Sequence, residues 1–390
     1  MRSSSPVHHH DRRRFLLRLS ALGLGSLACG PRSTRSDSRF GFGSGEILLS
    51  AHGTTAEEYG LVAQGRDEPP RIVPAGFRGH DVAIHPVRRQ EVLLFGRRPG
   101  LETLVVDIEA AQTTARLVAP PSRAFQGHGC FSEDGATLFT SEADVHTGAG
   151  YLGVWDAATW QRIGELSSQG IGPHQIGMLP QDRSLVVANG GLLTRPETGR
   201  RVLNLDTMES SLTYIDPIDG RVTDVARVRE PKASIRHFDI AEDGTVAFGV
   251  QLQRPAMNHD RVVSIGGVHR WGADVVEIED RLDVMAVFED YVGSVAIGGR
   301  TVGFTSPRGN VAAFWDLDHG HFVGAHQLAD VCGLAASADG LRFILTSSIG
   351  EVRALRAFDG SELRSERRRD ERVAWDNHCR ILEGSELERS

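Results

Sequence analysis

Aromatic residues are scarce in this chain of 390 residues, at 6%, and cysteines number only four. No internal apolar run approaches the ~18 residues of a membrane-spanning helix. Few aromatics together with 44 glycines suit many short strands and tight turns better than a helical core. The cysteines, Cys29, Cys130, Cys332 and Cys379, lie far apart, and the odd number after Cys29 argues against a full disulfide framework. No Cys-x-x-Cys-His is present, which excludes covalent haem attachment. Gly-x-Ser-x-Gly, Walker and dinucleotide fingerprints are absent as well. Positive charge is not in excess: the net charge is −8, so nothing draws the protein to nucleic acid or to an anionic membrane surface. What is present is 40% hydrophobic residues, enough for a large core, at a length that closed all-β folds often fill with one domain.

The N-terminus reads as a targeting segment. Arg12-Arg13-Arg14-Phe15-Leu16-Leu17 resembles the twin-arginine export consensus, and a weakly apolar stretch from Leu16 to Ala28 follows. An amphipathic helix is the competing reading. Cys29 is a candidate for lipidation, the one route to a membrane, although Leu27 sits one place too close for a good lipobox. Residues 30–45, rich in Ser, Arg and Gly, then form a tether, and residues 46–390 form the folded domain.

Internal repetition organises that domain. Gly79-His80-Asp81-Val82, Gly127-His128-Gly129-Cys130, Pro173-His174-Gln175-Ile176 and Arg236-His237-Phe238-Asp239 are alike, each followed by a turn and a second apolar run. Degenerate copies begin at Gly293 and Gly333, and a half-copy is Asn377-His378-Cys379-Arg380. The anchors recur about every 40–63 residues, the length of a four-stranded propeller blade plus insertions. The reading is a seven-bladed β-propeller whose closing blade is split. Its inner strand, Val373 to Leu382, comes from the C-terminus, and three strands, from Glu46, Tyr59 and Arg71, come from the other end. A β-sandwich would not produce this period.

Five of the seven anchors are histidine: His80, His128, His174, His237 and His378. With 16 histidines in 390 residues, chance places about 0.3 among seven positions. The repeat therefore predicts that they gather at one mouth of the channel. Second strands end beside the same mouth, which adds Arg98, Glu142, Asn189 and His52 to the expected site. Arg195, Arg200, Arg201, Asn204 and His259, on the long loops after two of these strands, form an expected lid. Neutral imidazoles suit copper, zinc or iron rather than Ca²⁺ or Mg²⁺. The five histidines with Glu142 and His52 are the expected metal set, Cys130 and Cys379 are further candidates, and Arg98, Asn189 and Arg236 are expected to hold an anionic ligand. A polar, water-filled channel mouth is the competing reading of the ring, and solvated surface that of the arginines.

The segments Gly127-His128-Gly129, Gly170-Ile171-Gly172-Pro173-His174, Val187-Ala188-Asn189-Gly190-Gly191, Leu203-Asn204-Leu205-Asp206-Thr207-Met208, Ser234-Ile235-Arg236-His237, Thr305-Ser306-Pro307-Arg308-Gly309 and Trp375-Asp376-Asn377-His378 resemble the family called domain of unknown function 1513. That resemblance implies a Tat-exported, periplasmic propeller found in the company of imelysin-type proteins linked to iron acquisition. It implies no chemistry, but it favours iron among the metals above. Three function classes stand at this point: a metal-binding protein of uptake or delivery, a metal-dependent redox or hydrolytic enzyme, and a scaffold whose mouth binds a partner.

Overall fold

The computed structural model describes residues 45–195, 197 and 201–383. The twin-arginine segment, Cys29, most of the tether and Arg200 lie outside them. Seven four-stranded antiparallel sheets account for the domain, and the described residues include a single short α-helix, Leu282–Ala286.

Blade 2 shows how the local sequence makes a sheet. Its strands are Arg123–Phe131, Thr137–Asp144, Ala149–Asp156 and Gln161–Ile171. Gly135, at φ +70°, turns the first hairpin, where its amide donates to the Ser132 carbonyl. Asp156 turns the outer hairpin by accepting the amides of Ala158 and Thr159 through its carboxylate. The outermost strand is mostly solvent-exposed, so a central strand buried on both faces gives way to a polar rim.

Alternation of side chains joins neighbouring sheets, because successive residues of a strand point to opposite faces. In the strand Glu91–Gly96, Val92 and Leu94 pack with Leu49 and Leu61 of the blade on one side. Leu93 and Phe95 pack with Phe125, Leu138 and Trp155 of the blade on the other. Seven such apolar layers, one between each adjacent pair of blades, complete the circle. The inner strands also touch in cyclic order, the last, Trp375–Glu383, packing against the first, Gly79–Ile84.

One sheet joins the two ends of the domain. Trp375–Glu383 pairs with Glu46–His52, in register from Glu46 opposite Glu383 to Ser50 opposite Cys379. Gly60–Gly65 and Arg71–Pro74 follow outward. Ser50 adds a side-chain hydrogen bond to the His378 carbonyl at 2.6 Å. With every inner strand flanked on both sides, the circle has no open end.

Candidate metal centre

Inner strands alone border the axis, and most are not regular. The pairing with the second strand slips between Gly79 and Val82, between Phe125 and Gly129, between Pro173 and Ile176, and between Ile235 and His237. It slips again along Trp375–Cys379 in the closing blade. Each slip spans or adjoins one of the five anchor histidines. A bulge of this kind releases a residue from the ladder and re-aims its side chain. Ser294–Gly298, the inner strand of the fifth blade, pairs without a slip and carries no histidine. The sixth inner strand slips between Val331 and Gly333 but has Cys332 there, whose thiol donates to the Trp375 carbonyl at 3.3 Å.

The five imidazoles form a close-packed cluster rather than a wide ring. Successive ring centroids are 4.7 Å apart from His80 to His128, 4.6 Å from His128 to His174 and 4.8 Å from His174 to His237. His237 to His378 is 4.6 Å, spanning the two blades without histidine, and His378 to His80 is 4.9 Å. A flat pentagon with such sides has diagonals near 7.6 Å by plane geometry, but those observed run from 5.0 Å to 6.0 Å, so the five rings are stacked at different heights along the axis. All five are buried. Among the described residues two triads bring ligand nitrogens within 4.8 Å of one another: His80, His128 and His174, and His80, His237 and His378.

Neighbouring groups fix where the protons lie. Asp81 accepts from Nδ1 of His128 at 2.8 Å, which leaves the Nε2 lone pair of His128 bare. Burial opposes the charge of Asp81, but Arg380, 2.9 Å away, and the His128 hydrogen bond hold its carboxyl well below the usual range. Ser294 spends its hydroxyl proton on the Asn377 carbonyl at 3.1 Å, so at 2.8 Å its oxygen accepts from Nδ1 of His378. Nε2 of His378 is therefore bare as well. Arg236 can only donate, and it reaches Nδ1 of His174 at 3.4 Å. The proton of His174 then sits on Nε2 and points at Nε2 of His80, 3.3 Å away.

Among the described residues five nitrogens of the cluster remain buried without a hydrogen-bond partner: Nδ1 of His80, Nε2 of His128, both nitrogens of His237, and Nε2 of His378. Each such group costs about 1–3 kcal/mol when left unmade. Burial lowers the basicity of every ring in the cluster, His80, His174 and His237 well below the ordinary value and His378 to about 3. His128 falls less, because Asp81 works against its burial. Neutral rings with bare lone pairs are the form in which histidine binds a metal.

Other expected residues lie elsewhere. Glu142 accepts from Arg162 at 2.6 Å and from the Thr140 hydroxyl at 2.8 Å, and Trp155 donates to the same hydroxyl at 3.0 Å. Thr140, Trp155 and Arg162 belong to the second, third and fourth strands of one blade, so this carboxylate is engaged within its own sheet and joins neither triad. His52 accepts the amide of Ala374 through Nδ1 at 3.2 Å, within the closing blade. Asn189 is fully engaged with Ser168 and Thr213, tying blade 2 to blade 3. Neither residue joins a triad, and neither does any cysteine among the described residues.

Arg98 and Arg236 do reach the site. Both line a cavity of about 390 Å³ whose lining also includes His80, His174 and His237. Arg195, from the expected lid, lines it too. Asn204 instead braces its own loop through Leu193 and Gly191, and His259 pairs with Glu230 at 3.1 Å. Asp81 and Ser294 are the residues that sequence reasoning missed. Asp81 stood in view beside His80, whereas Ser294 follows Gly293, the anchor of a degenerate repeat, where no chemical pattern marks it.

A family model described as a protein of unknown function, DUF1513, matches residues 73–382. No curated protein matches the chain.

Proposed function

Because the chain belongs to the DUF1513 family, whose description assigns no activity, the geometry must carry the functional reading, and we propose that this propeller binds one transition-metal ion, iron or copper, through its histidine cluster and holds it for uptake or delivery. The observation that carries this is the concentration of five buried, unpartnered imidazole nitrogens in one cluster. Native interiors satisfy nearly all their buried polar atoms, and three of these nitrogens, Nε2 of His128, Nε2 of His378 and one nitrogen of neutral His237, carry bare lone pairs that a metal ion can take. A donor set of neutral nitrogens without carboxylate or thiolate suits iron, copper or zinc and disfavours hard cations. One ion is expected because the two triads share His80.

Export by the twin-arginine route supports the same reading, since that route carries folded proteins with a cofactor already installed. It would place the protein in the periplasm, on a lipid anchor where Cys29 is modified, and an imelysin-type protein is the partner that the family resemblance suggests. Calorimetric titration with Cu²⁺, Fe²⁺, Fe³⁺ and Zn²⁺, beside elemental analysis of protein taken from its native periplasm, tests the proposal. Saturable binding of one ion per chain is expected. Weak, non-saturating binding of all four ions would reject it and leave the propeller as a scaffold.

A further inference from the structure

The wall of the cavity above the cluster carries a charge excess that the metal alone does not explain. Six guanidinium groups of the described residues line it: Arg78, Arg97, Arg98, Arg195, Arg236 and Arg308. Among the described residues Asp144 is the one carboxylate in the lining, and its Oδ2 already accepts from Arg123 at 3.0 Å. Arg78 and Arg97 both reach Asp376, at 2.7 Å and 3.5 Å. Cations thus outnumber anions around a space into which three imidazoles also face.

Arg236 is the most telling of the six. It is 2% exposed, and among the described residues it forms no ion pair, its single hydrogen bond is the long one to His174, and its Nε has no partner. A buried guanidinium without a carboxylate is costly unless something supplies the negative charge. Arg308 stands at the same cavity with its guanidinium over the ring of Tyr291, 4.4 Å from the centroid. That contact holds it in place and leaves the edge of its fork able to donate.

We propose that this cavity is a binding site for a small organic polycarboxylate, and that the ion reaches the histidine cluster as an anionic chelate. The second clause rests on the metal-binding reading above; the first stands without it. A polycarboxylate fits better than a single small oxyanion for two reasons. The volume lies in the range of small-molecule sites, about 300–1,000 Å³. The arginines are distributed around it, so several separate carboxylates can each meet a guanidinium fork. Carboxylate oxygens also supply the coordination positions that a three-histidine site leaves open.

The test uses the full folded protein, stripped of metal with phenanthroline, a neutral chelator that does not itself compete for an anion site. Titration with citrate at low ionic strength should give saturable binding of one molecule per chain, with acetate and inorganic phosphate at least tenfold weaker. Arg308→Ala, at the cavity wall, and Arg236→Gln should each weaken citrate at least tenfold, with thermal melting used to confirm that each variant folds. Absence of saturable citrate binding by the wild type would overturn the proposal. So would phosphate binding as tight as citrate, or wild-type citrate affinity in Arg308→Ala. Metal titration of the same stripped protein separates the two readings: citrate binding without metal binding sinks the metal centre alone, and the reverse sinks the anion site alone.

Discussion

Replacing His80 should damage metal binding more than replacing His174, although the two rings touch. His80 belongs to both triads, whereas His174 belongs to one, and its Nδ1 already accepts from Arg236. A metal on Nε2 of His174 would have to displace the proton that this contact places there. His237 has neither conflict, since both its nitrogens lack partners, and Nε2 of His378 is bare. The favoured set is therefore His80, His237 and His378. Four-ligand structural zinc sites are worth about 10–16 kcal/mol, or about 2.5–4 kcal/mol per ligand. Loss of one ligand should then cost on the order of 10²–10³ in affinity. His80→Ala and His237→Ala should show that loss by calorimetry, and His174→Ala should stay within about tenfold of wild type. Thermal melting gives an independent reading. Metal at a hundredfold excess over Kd stabilises by about 2.7 kcal/mol, a few degrees in a chain of this size. That shift should vanish in His80→Ala and persist in His174→Ala. Wild-type affinity in His80→Ala, or equal losses in His174→Ala and His237→Ala, would refute the assignment.

Three further outcomes follow from the same geometry. Asp81→Asn removes the carboxylate that orients His128; metal affinity should fall about tenfold if the His128 triad contributes and stay unchanged if the favoured set acts alone, a result read by titration beside a melting curve. Stability of the metal-free protein should be greatest above pH 6.5. Burial holds the folded imidazoles below their ordinary value, so as pH falls below about 6.5 the unfolded chain takes up protons first, and stability declines towards about pH 3, where His378 titrates, by up to ~1.4 kcal/mol per pH unit for each histidine. Denaturant midpoints between pH 8 and pH 4 measure this, and a flat profile would contradict neutral burial. Glu142→Gln should leave metal stoichiometry untouched and lower unfolding stability by about 1.5–3 kcal/mol, because it weakens the charged bond to Arg162; a change in stoichiometry would return Glu142 to the site.

Much of the fold was legible because a propeller writes its period into the chain. Each blade must supply an inner strand, a tight turn and an apolar return strand, so anchors such as Gly127-His128 and Arg236-His237 recur in register. Residues at one register position must come to one circle when the sheets close, and this is why the repeat alone groups five scattered histidines. Strand limits were read less sharply. The second blade's inner strand begins at Arg123, five residues ahead of the anchor His128, since nothing in Arg123-Ala124-Phe125-Gln126 distinguishes a strand from the loop before it.

Sequence alone thus determined the seven blades and the identity of the clustered histidines, both consequences of repetition. Tertiary structure decided which other polar groups join them. A strand's side chains alternate between faces, and one slipped residue reverses that alternation, so nearness to the channel in sequence does not say which way a side chain points. Bulges turned the histidines inward, while Glu142 and Asn189, in regular second strands, stayed on faces where Arg162 and Ser168 were within reach. Asp81 and Ser294 reached the cluster from blades other than those of the histidines they orient, a contact across sheets that exists only once the ring is closed.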